Sequence, residues 1–179
     1  MGIVTAAALL AFPLLLLLAA TFDVTTMTIP NRLNTMIALL FLPAAVTAGF
    51  GVWDLAFHLL TAGAVIALCF GMFALNLIGG GDAKLAAAIS VWLDPWLVLQ
   101  WVLWSAVYGG ALTIIILLFR MLPLRTFVAR SPWLAQLHNW KSGVPYGVAL
   151  AAAGLHLYPH TLVFAGLGGW PALAAYIPH

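Results

Sequence analysis

Long apolar blocks separated by short polar breaks dominate this chain. Residues 3–20 and 55–75 each hold about twenty positions with at most one strongly polar side chain, enough to cross a bilayer as a helix. The pattern predicts helices over 3–21 (with a kink at Pro13), 33–50, 55–76, a short one from Asp82 to about 94, one over 95–119, and a sixth from about 144. Between the first two lies the polar stretch TFDVTTMTIPNRLN. Its Ile29-Pro30-Asn31 reads as the end of one element and the turn into the next, because proline restricts the residue before it and asparagine favours turns. GFGVWD is a turn that sets Trp53 at an interface, and Asp94-Pro95 reads as a cap and first-turn proline. Residues 120–143 form a loop with room for a short interfacial helix. The apolar tail after Pro159 either extends the sixth helix, folds back, or makes a seventh segment. Gly63, Ala67 and Gly71, four apart, predict a face on which another helix packs closely.

The expected fold is all-α: a polytopic transmembrane helical bundle of about six helices, with residues 1–179 forming one domain and no separate soluble part. Composition agrees. The chain is 65% hydrophobic and 6% charged, whereas soluble domains carry about 25% charged residues. The first twenty residues have no Lys or Arg ahead of the apolar stretch, so they read as a retained helix rather than a cleaved signal. The single cysteine, Cys69, lies inside an apolar run and reads as a core thiol; there is no Cys-x-x-Cys pattern. A net charge of +2 from scattered basic residues argues against a nucleic-acid partner. With six crossings, Arg32, Lys84, Arg120, Arg125, Arg130 and Lys141 all fall on one side, and Asp54 and Asp94 on the other. The positive-inside rule makes the basic side cytoplasmic and the amino terminus external.

This placement isolates two acids. The chain has four Asp and no Glu. Asp54 and Asp94 are outer turn residues, whereas Asp23 and Asp82 lie at the cytoplasmic ends of the first and fourth helices. Charge near hydrocarbon is costly and usually faces the bundle interior with a function. A fourth helix of about eleven residues would span roughly 16 Å of an approximately 30 Å hydrocarbon core, setting Asp82 in a recess. Each acid alone has a structural explanation, Asp23 as a turn cap and Asp82 as an acid at a helix amino terminus. As a pair they suggest more. Two carboxylates brought together share a proton, giving an acid and a base at one pH. The base would take a proton from water attacking a peptide carbonyl, and the acid would protonate the carbonyl oxygen and later the leaving nitrogen. This scheme needs no metal or cofactor. Gly79, Gly80 and Gly81, in LNLIGGGDAKL, either connect two helices flexibly or adopt unusual backbone angles that let a substrate strand approach. Lys84 either snorkels to the interface or tunes the nearby carboxylates.

DVTTMTIPNRLN, then GGGDAKL, then GVPYGVALAAAG resemble, in that order, three segments of the prepilin peptidase family, bacterial inner-membrane aspartic proteases with a Gly-x-Gly-Asp motif. The resemblance spans about residues 10–155. It implies Asp23 and Asp82 as the catalytic pair. The active-site support it implies comprises Ile29, Pro30, Asn31, Gly79, Gly80, Gly81, Lys84, Pro145, Tyr146 and Gly147. It further implies a type IV prepilin or pseudopilin as substrate, cut after a short basic leader at the cytoplasmic membrane face, with the lipid bilayer and pilus assembly machinery as surroundings. The small size resembles the Tad-type (Flp pilus) members. The paired-cysteine domain of the larger, methylating members is missing from this sequence, which points away from methyl transfer. With a basic cytoplasmic loop, leader recognition is expected to rest on backbone contacts, lateral docking of the hydrophobic helix, or a partner.

Other chemistry is sparse. His156 and His160 are four apart, but Pro159 intervenes and no carboxylate or cysteine joins them, so no metal site is expected. His58, His138 and His179 read as interfacial or terminal. Ser90 and Ser105 lack a His/Asp arrangement, Asn76 and Gln100 read as interhelical hydrogen-bonding residues, and Trp101, Trp104 and Tyr108 as packing residues. Two other classes compete with the peptidase. One is a proton-coupled transporter using the two acids as a relay, although the internal repeats common in transporters are not visible. The other is a non-catalytic pilus or secretion assembly subunit in which the acids only cap helices.

Overall fold

A computed structural model describes residues 3–123 and 131–169. Arg125, Arg130, His179 and the tail beyond Gly169 lie outside the described residues. The elements are α1 (Ile3–Thr26), α2 (Asn31–Thr47), α3 (Val52–Ala74), α4 (Gly80–Ser90), α5 (Pro95–Met121), α6 (Pro132–His138), α7 (Tyr146–Leu157), a 3₁₀ turn (Tyr158–His160) and α8 (Leu162–Gly166). There is no strand among the described residues. Helix α4 is central and packs on α2, α3 and α7; α1 packs on α2 and α7, and α5 on α7.

Most boundaries follow from local chemistry. Asp94 caps α5, its Oδ1 accepting from the amides of Trp96 and Leu97 at 3.1 Å each, with Pro95 in the first turn. Asp54 Oδ2 accepts from the Gly51 amide at 2.9 Å and secures the start of α3. The largest departure is at α1, which runs beyond its expected end at 21 to Thr26. The hydroxyls of Thr21, Thr25 and Thr26 donate to the carbonyls of Leu17, Thr21 and Phe22 one turn back, at 2.8, 2.7 and 2.8 Å. The polar residues thereby satisfy themselves on the helix instead of breaking it. Asp23 is consequently a helical residue and not part of a loop. The left-handed Met27 (φ 52°) then reverses the chain.

Helix α4 is 11 residues long, about 16 Å at 1.5 Å per residue against a hydrocarbon core of about 30 Å. It ends at Ser90 before a turn and does not continue through Pro95. Carbonyls at a helix end inside a bundle need partners. His58 supplies one, its Nδ1–H donating to the Val91 carbonyl at 2.9 Å. The sequence placed His58 at an interface; it is buried because α3 lies along α4 and the orphan carbonyl requires a donor there. Trp92 and Leu93 fill the space beyond the helix end and are fully buried. The Trp92 indole N–H donates to the Ile37 carbonyl at 2.9 Å, and its ring stacks on Phe12 with centroids 4.4 Å apart. Tyr158 ties the same core to α1, its hydroxyl donating to the Leu9 carbonyl at 3.0 Å.

Among the described residues three helices are long and apolar enough to cross a membrane: Thr5–Thr26, Val52–Ala74 and Pro95–Met121. Helices α2, α4 and α7, with 17, 11 and 12 residues, are shorter, so only part of the expected six-crossing layout rests on helices of full spanning length. The Gly63–Ala67–Gly71 face packs on no other helix among the described residues. It is exposed, and a Cβ added at Gly63 or Gly71 would meet nothing within 4 Å. Helix α3 instead buries the line His58, Ala62 and Cys69. Asn76, expected to bridge helices, takes a left-handed conformation (φ 56°) that turns the chain after α3.

Trp92 carries both a buried hydrogen bond and the central aromatic stack. Trp92→Ala is expected to destabilise the protein by about 3–5 kcal/mol, the range for large aromatic deletions in cores. Thermal unfolding in detergent micelles checks this, with Trp96→Ala, at an exposed ring, as the neutral comparison.

Candidate active site

Three segments distant in sequence converge at one end of the bundle. The end of α1 and the turn after it supply Asp23, Met27, Thr28, Ile29 and Asn31; the α3–α4 turn and first turn of α4 supply Gly79, Gly80, Gly81, Asp82 and Lys84; the stretch before α7 supplies Gly143, Val144 and Pro145. Together they line an open cavity of about 530 Å³. Helices α2, α4 and α7 all begin at this cavity, so the positive ends of three helix dipoles surround the two acids.

Asp23 projects from α1 and is buried at 5% exposure; its Oδ2 has no hydrogen-bond partner. Asp82, in the first turn of α4, is half-buried, and the two carboxylates are close enough to interact electrostatically. The amide of Gly147, in the first turn of α7, faces both carboxylates, and that of Val148 faces Asp23. For Asp23 this approach falls short of full hydrogen-bond geometry, as the unpartnered Oδ2 records. Gly147 allows no side chain. A Cβ there would lie 2.7 Å from Asp23 Oδ2 and 2.7 Å from Ile29 Cδ1. Ile29 is itself buried and wedged under the same backbone. The absence of a Cβ thus brings the α7 amides to Asp23.

The three consecutive glycines work by space. None of Gly79, Gly80 and Gly81 has a positive φ, so the expectation of unusual backbone angles does not hold. Asn76 makes the reversal instead. A Cβ on Gly79 would lie 3.2 Å from Asp82 Oδ2, and one on Gly80 would lie 3.2 Å from the Phe73 ring. Lys84 Nζ donates to Asn31 Oδ1 at 2.9 Å, linking the start of α4 to the start of α2. Pro30 caps α2, its carbonyl accepting from the Leu33 amide at 3.0 Å. Pro145 precedes α7 as its buried cap residue. The Tyr146 hydroxyl donates to the Ser105 carbonyl at 3.1 Å, and its ring fills a notch at Gly109, where a Cβ would collide with the ring edge.

Of the candidate site residues, Asp23, Ile29, Asn31, Gly79, Gly80, Gly81, Asp82, Lys84 and Pro145 line the cavity, Gly147 lies against Asp23 and Ile29, and Pro30 and Tyr146 are outside the lining. Sequence reasoning missed Met27, Thr28 and the backbone at Gly143 and Val144 as lining, and it passed over Gly109. The Gly109-Gly110 pair inside an apolar run was the available signal for a close approach. His156 lies elsewhere, its Nδ1 2.6 Å from the Tyr108 hydroxyl and its ring stacked on Trp104. Among the described residues no third His, Cys, Asp or Glu joins Asp23 and Asp82 to form a metal-ligand cluster. Two carboxylates of unequal burial therefore border one open cavity.

The sequence model of the type IV leader peptidase family matches residues 10–114, a span that includes both aspartates. No curated protein and no solved structure matches the chain.

Gly147→Ala is expected to push the Asp23 carboxylate off its seat or lift the start of α7. Either movement opens Asp23 to solvent, so carbodiimide labelling of Asp23, read by mass spectrometry, should exceed that of the unsubstituted protein. Gly110→Ala, where an added Cβ meets nothing within 4 Å, should leave the labelling unchanged.

Proposed function

Because this chain belongs to the type IV leader peptidase family, we propose that it is a membrane aspartic endopeptidase in which Asp23 and Asp82 together activate water. The observation that supports this reading is the single open cavity that both carboxylates line, with Asp23 deeply buried and Asp82 more accessible. Carboxylates in such proximity do not both ionise readily, so the pair holds one proton between them. The ionised member takes a proton from water as its oxygen bonds to the scissile carbonyl carbon, and the protonated member gives its proton to the carbonyl oxygen. As the tetrahedral adduct collapses, the carbon–nitrogen bond breaks and the leaving nitrogen receives a proton from the pair. The positive ends of α2, α4 and α7 favour the negative charge that builds on the reacting oxygen.

The substrate in this reading is a type IV prepilin or pseudopilin of the Flp kind, whose short basic leader is removed in front of its hydrophobic helix. Arg32, Lys84, Arg120 and Lys141 lie at the cavity end of the bundle, and Asp54 and Asp94 begin α3 and α5 at the other. By the positive-inside rule the cavity faces the cytoplasm. The chain then lies in a bacterial inner membrane with its shorter helices completing the crossings, as one peptidase domain close to the pilus assembly machinery. Gly79, Gly80 and Gly81 leave room for an extended peptide beside Asp82, and Lys84 with Asn31 holds the mouth of the cavity.

Cleavage of an Flp-type prepilin by the purified protein in detergent tests the reading. Asp23→Asn and Asp82→Asn are each expected to slow cleavage by about 10²–10⁴-fold, the contribution of a positioned acid or base. Lys84→Met, which removes a hydrogen bond to Asn31 and no reacting group, should cost far less. Wild-type rates in both asparagine variants would overturn the assignment.

A further inference from the structure

Arg120, at the end of α5, is a buried cation at 7% exposure. Among the described residues its partners are main-chain carbonyls and not a carboxylate. Nε donates to the Leu137 carbonyl at 2.8 Å, and Nη2 donates to the carbonyls of Ser142 and Gly143 at 2.9 Å each. Burying a guanidinium without a counter-ion is costly, and an apolar residue of similar size would fill the same volume. What the guanidinium adds is a planar fork that holds several oxygens in fixed directions. Two of those oxygens belong to the stretch that leads directly into the cavity wall at Gly143, Val144 and Pro145.

The other end of this stretch is held by the same helix. Tyr146 seats its ring in the Gly109 notch and donates to the Ser105 carbonyl. Residues 142–146 are thus fastened to α5 at both ends, and the next residue is Gly147, whose amide faces Asp23 and Asp82. With a Cβ on Gly147 already excluded by Asp23 and Ile29, there is little slack.

We propose that Arg120 is a positioning residue for the reaction: together with the Gly109–Tyr146 notch it clamps residues 142–146 to α5 and so sets where the Gly147 amide meets the carboxylate pair. This rests on the peptidase reading above. The clamp acts on the geometry of the pair through a stretch that also walls the cavity at Gly143, Val144 and Pro145. Loosening it therefore lowers kcat and changes the pH profile of kcat, and the pH profile is the part of the effect that a displaced cavity wall alone would not produce.

The test compares Arg120→Lys, Arg120→Met and Tyr146→Phe with the unsubstituted protein in lipid nanodiscs. Flp-type prepilin cleavage is followed across pH, with hydrogen–deuterium exchange of residues 139–148. Lysine keeps the charge but lacks the fork, so a role in charge alone predicts rescue by Arg120→Lys. The clamp predicts loss in both Arg120 variants: kcat per folded molecule falls about 10–100-fold, as for misplacement by about 1 Å, the pH profile shifts and exchange quickens over 142–148. Tyr146→Phe, which removes one of the fastenings, gives the same signature with smaller amplitude. If the Arg120 variants lower only the folded yield, with unchanged kcat and pH profile in the folded fraction, the residue is merely structural and the proposal is overturned. If Arg120→Met does not fold, Arg120→Lys and Tyr146→Phe decide. A wild-type protein that cleaves no prepilin removes the peptidase reading and the catalytic half of this proposal; unchanged exchange in the variants removes the clamp itself.

Discussion

The architecture turns on a helix that is too short. Helix α4 occupies the centre of the bundle yet has 11 residues, about half the length needed to traverse hydrocarbon. A short central helix leaves space at both of its ends. At one end, Trp92 and Leu93 fill the space completely, and His58 and Trp92 donate to the carbonyls of Val91 and Ile37. At the other end the space stays open and becomes the cavity, with Asp82 on its rim and Asp23 in its wall. Because one end is sealed by large rings with directed hydrogen bonds, α4 cannot slide to close the other.

The cavity then depends on backbone packed closely against charge. Gly147 brings the main chain of α7 to the carboxylate of Asp23, and Gly79, just before α4, leaves room for the carboxylate of Asp82 in the same turn. A side chain at Gly147 would push α7 and the Asp23 carboxylate apart. Three helix amino termini meet at the opening, and a carboxylate beside unpaired amides and dipole ends is a favourable arrangement without any metal or basic counter-ion. Lys84, the cation lining the cavity, is spent on Asn31, in keeping with a site whose electrostatics come from main chain more than from side chains. In the proposed reading this suits peptide hydrolysis. The pair needs one shared proton, and a lysine bound directly to either carboxylate would work against it.

Helix α5 stands outside this arrangement and yet governs it. It contributes no lining residue, but Ser105, Gly109 and Arg120 hold the segment that ends at Gly147. A buried arginine whose partners among the described residues are carbonyls is explained by a need for direction more than for cohesion. The exposed side of α3, with its small residues facing outward, meets no other helix among the described residues.

The one-dimensional pattern was enough for the helical class, because runs of about twenty apolar residues have few other solutions in a bilayer. It also singled out two acids as candidates, because in a chain with four Asp and no Glu each charge stands out against hydrocarbon. Local caps such as Asp94-Pro95 were legible for the same reason: their partners lie within a few residues. Contacts between distant segments were not. The length of α1 depended on threonines folding their hydroxyls back onto the helix, a choice between two satisfied states that composition does not make. The burial of His58, the notch at Gly109 and the three carbonyls gathered by Arg120 all required partners in distant segments to be in place. Hydropathy and scarcity of charge are properties of single positions, and they pointed to an all-helical membrane class and to two candidate acids. Distance and direction between positions exist only once the chain is packed, and packing alone decided that the two acids share one cavity and what holds them there.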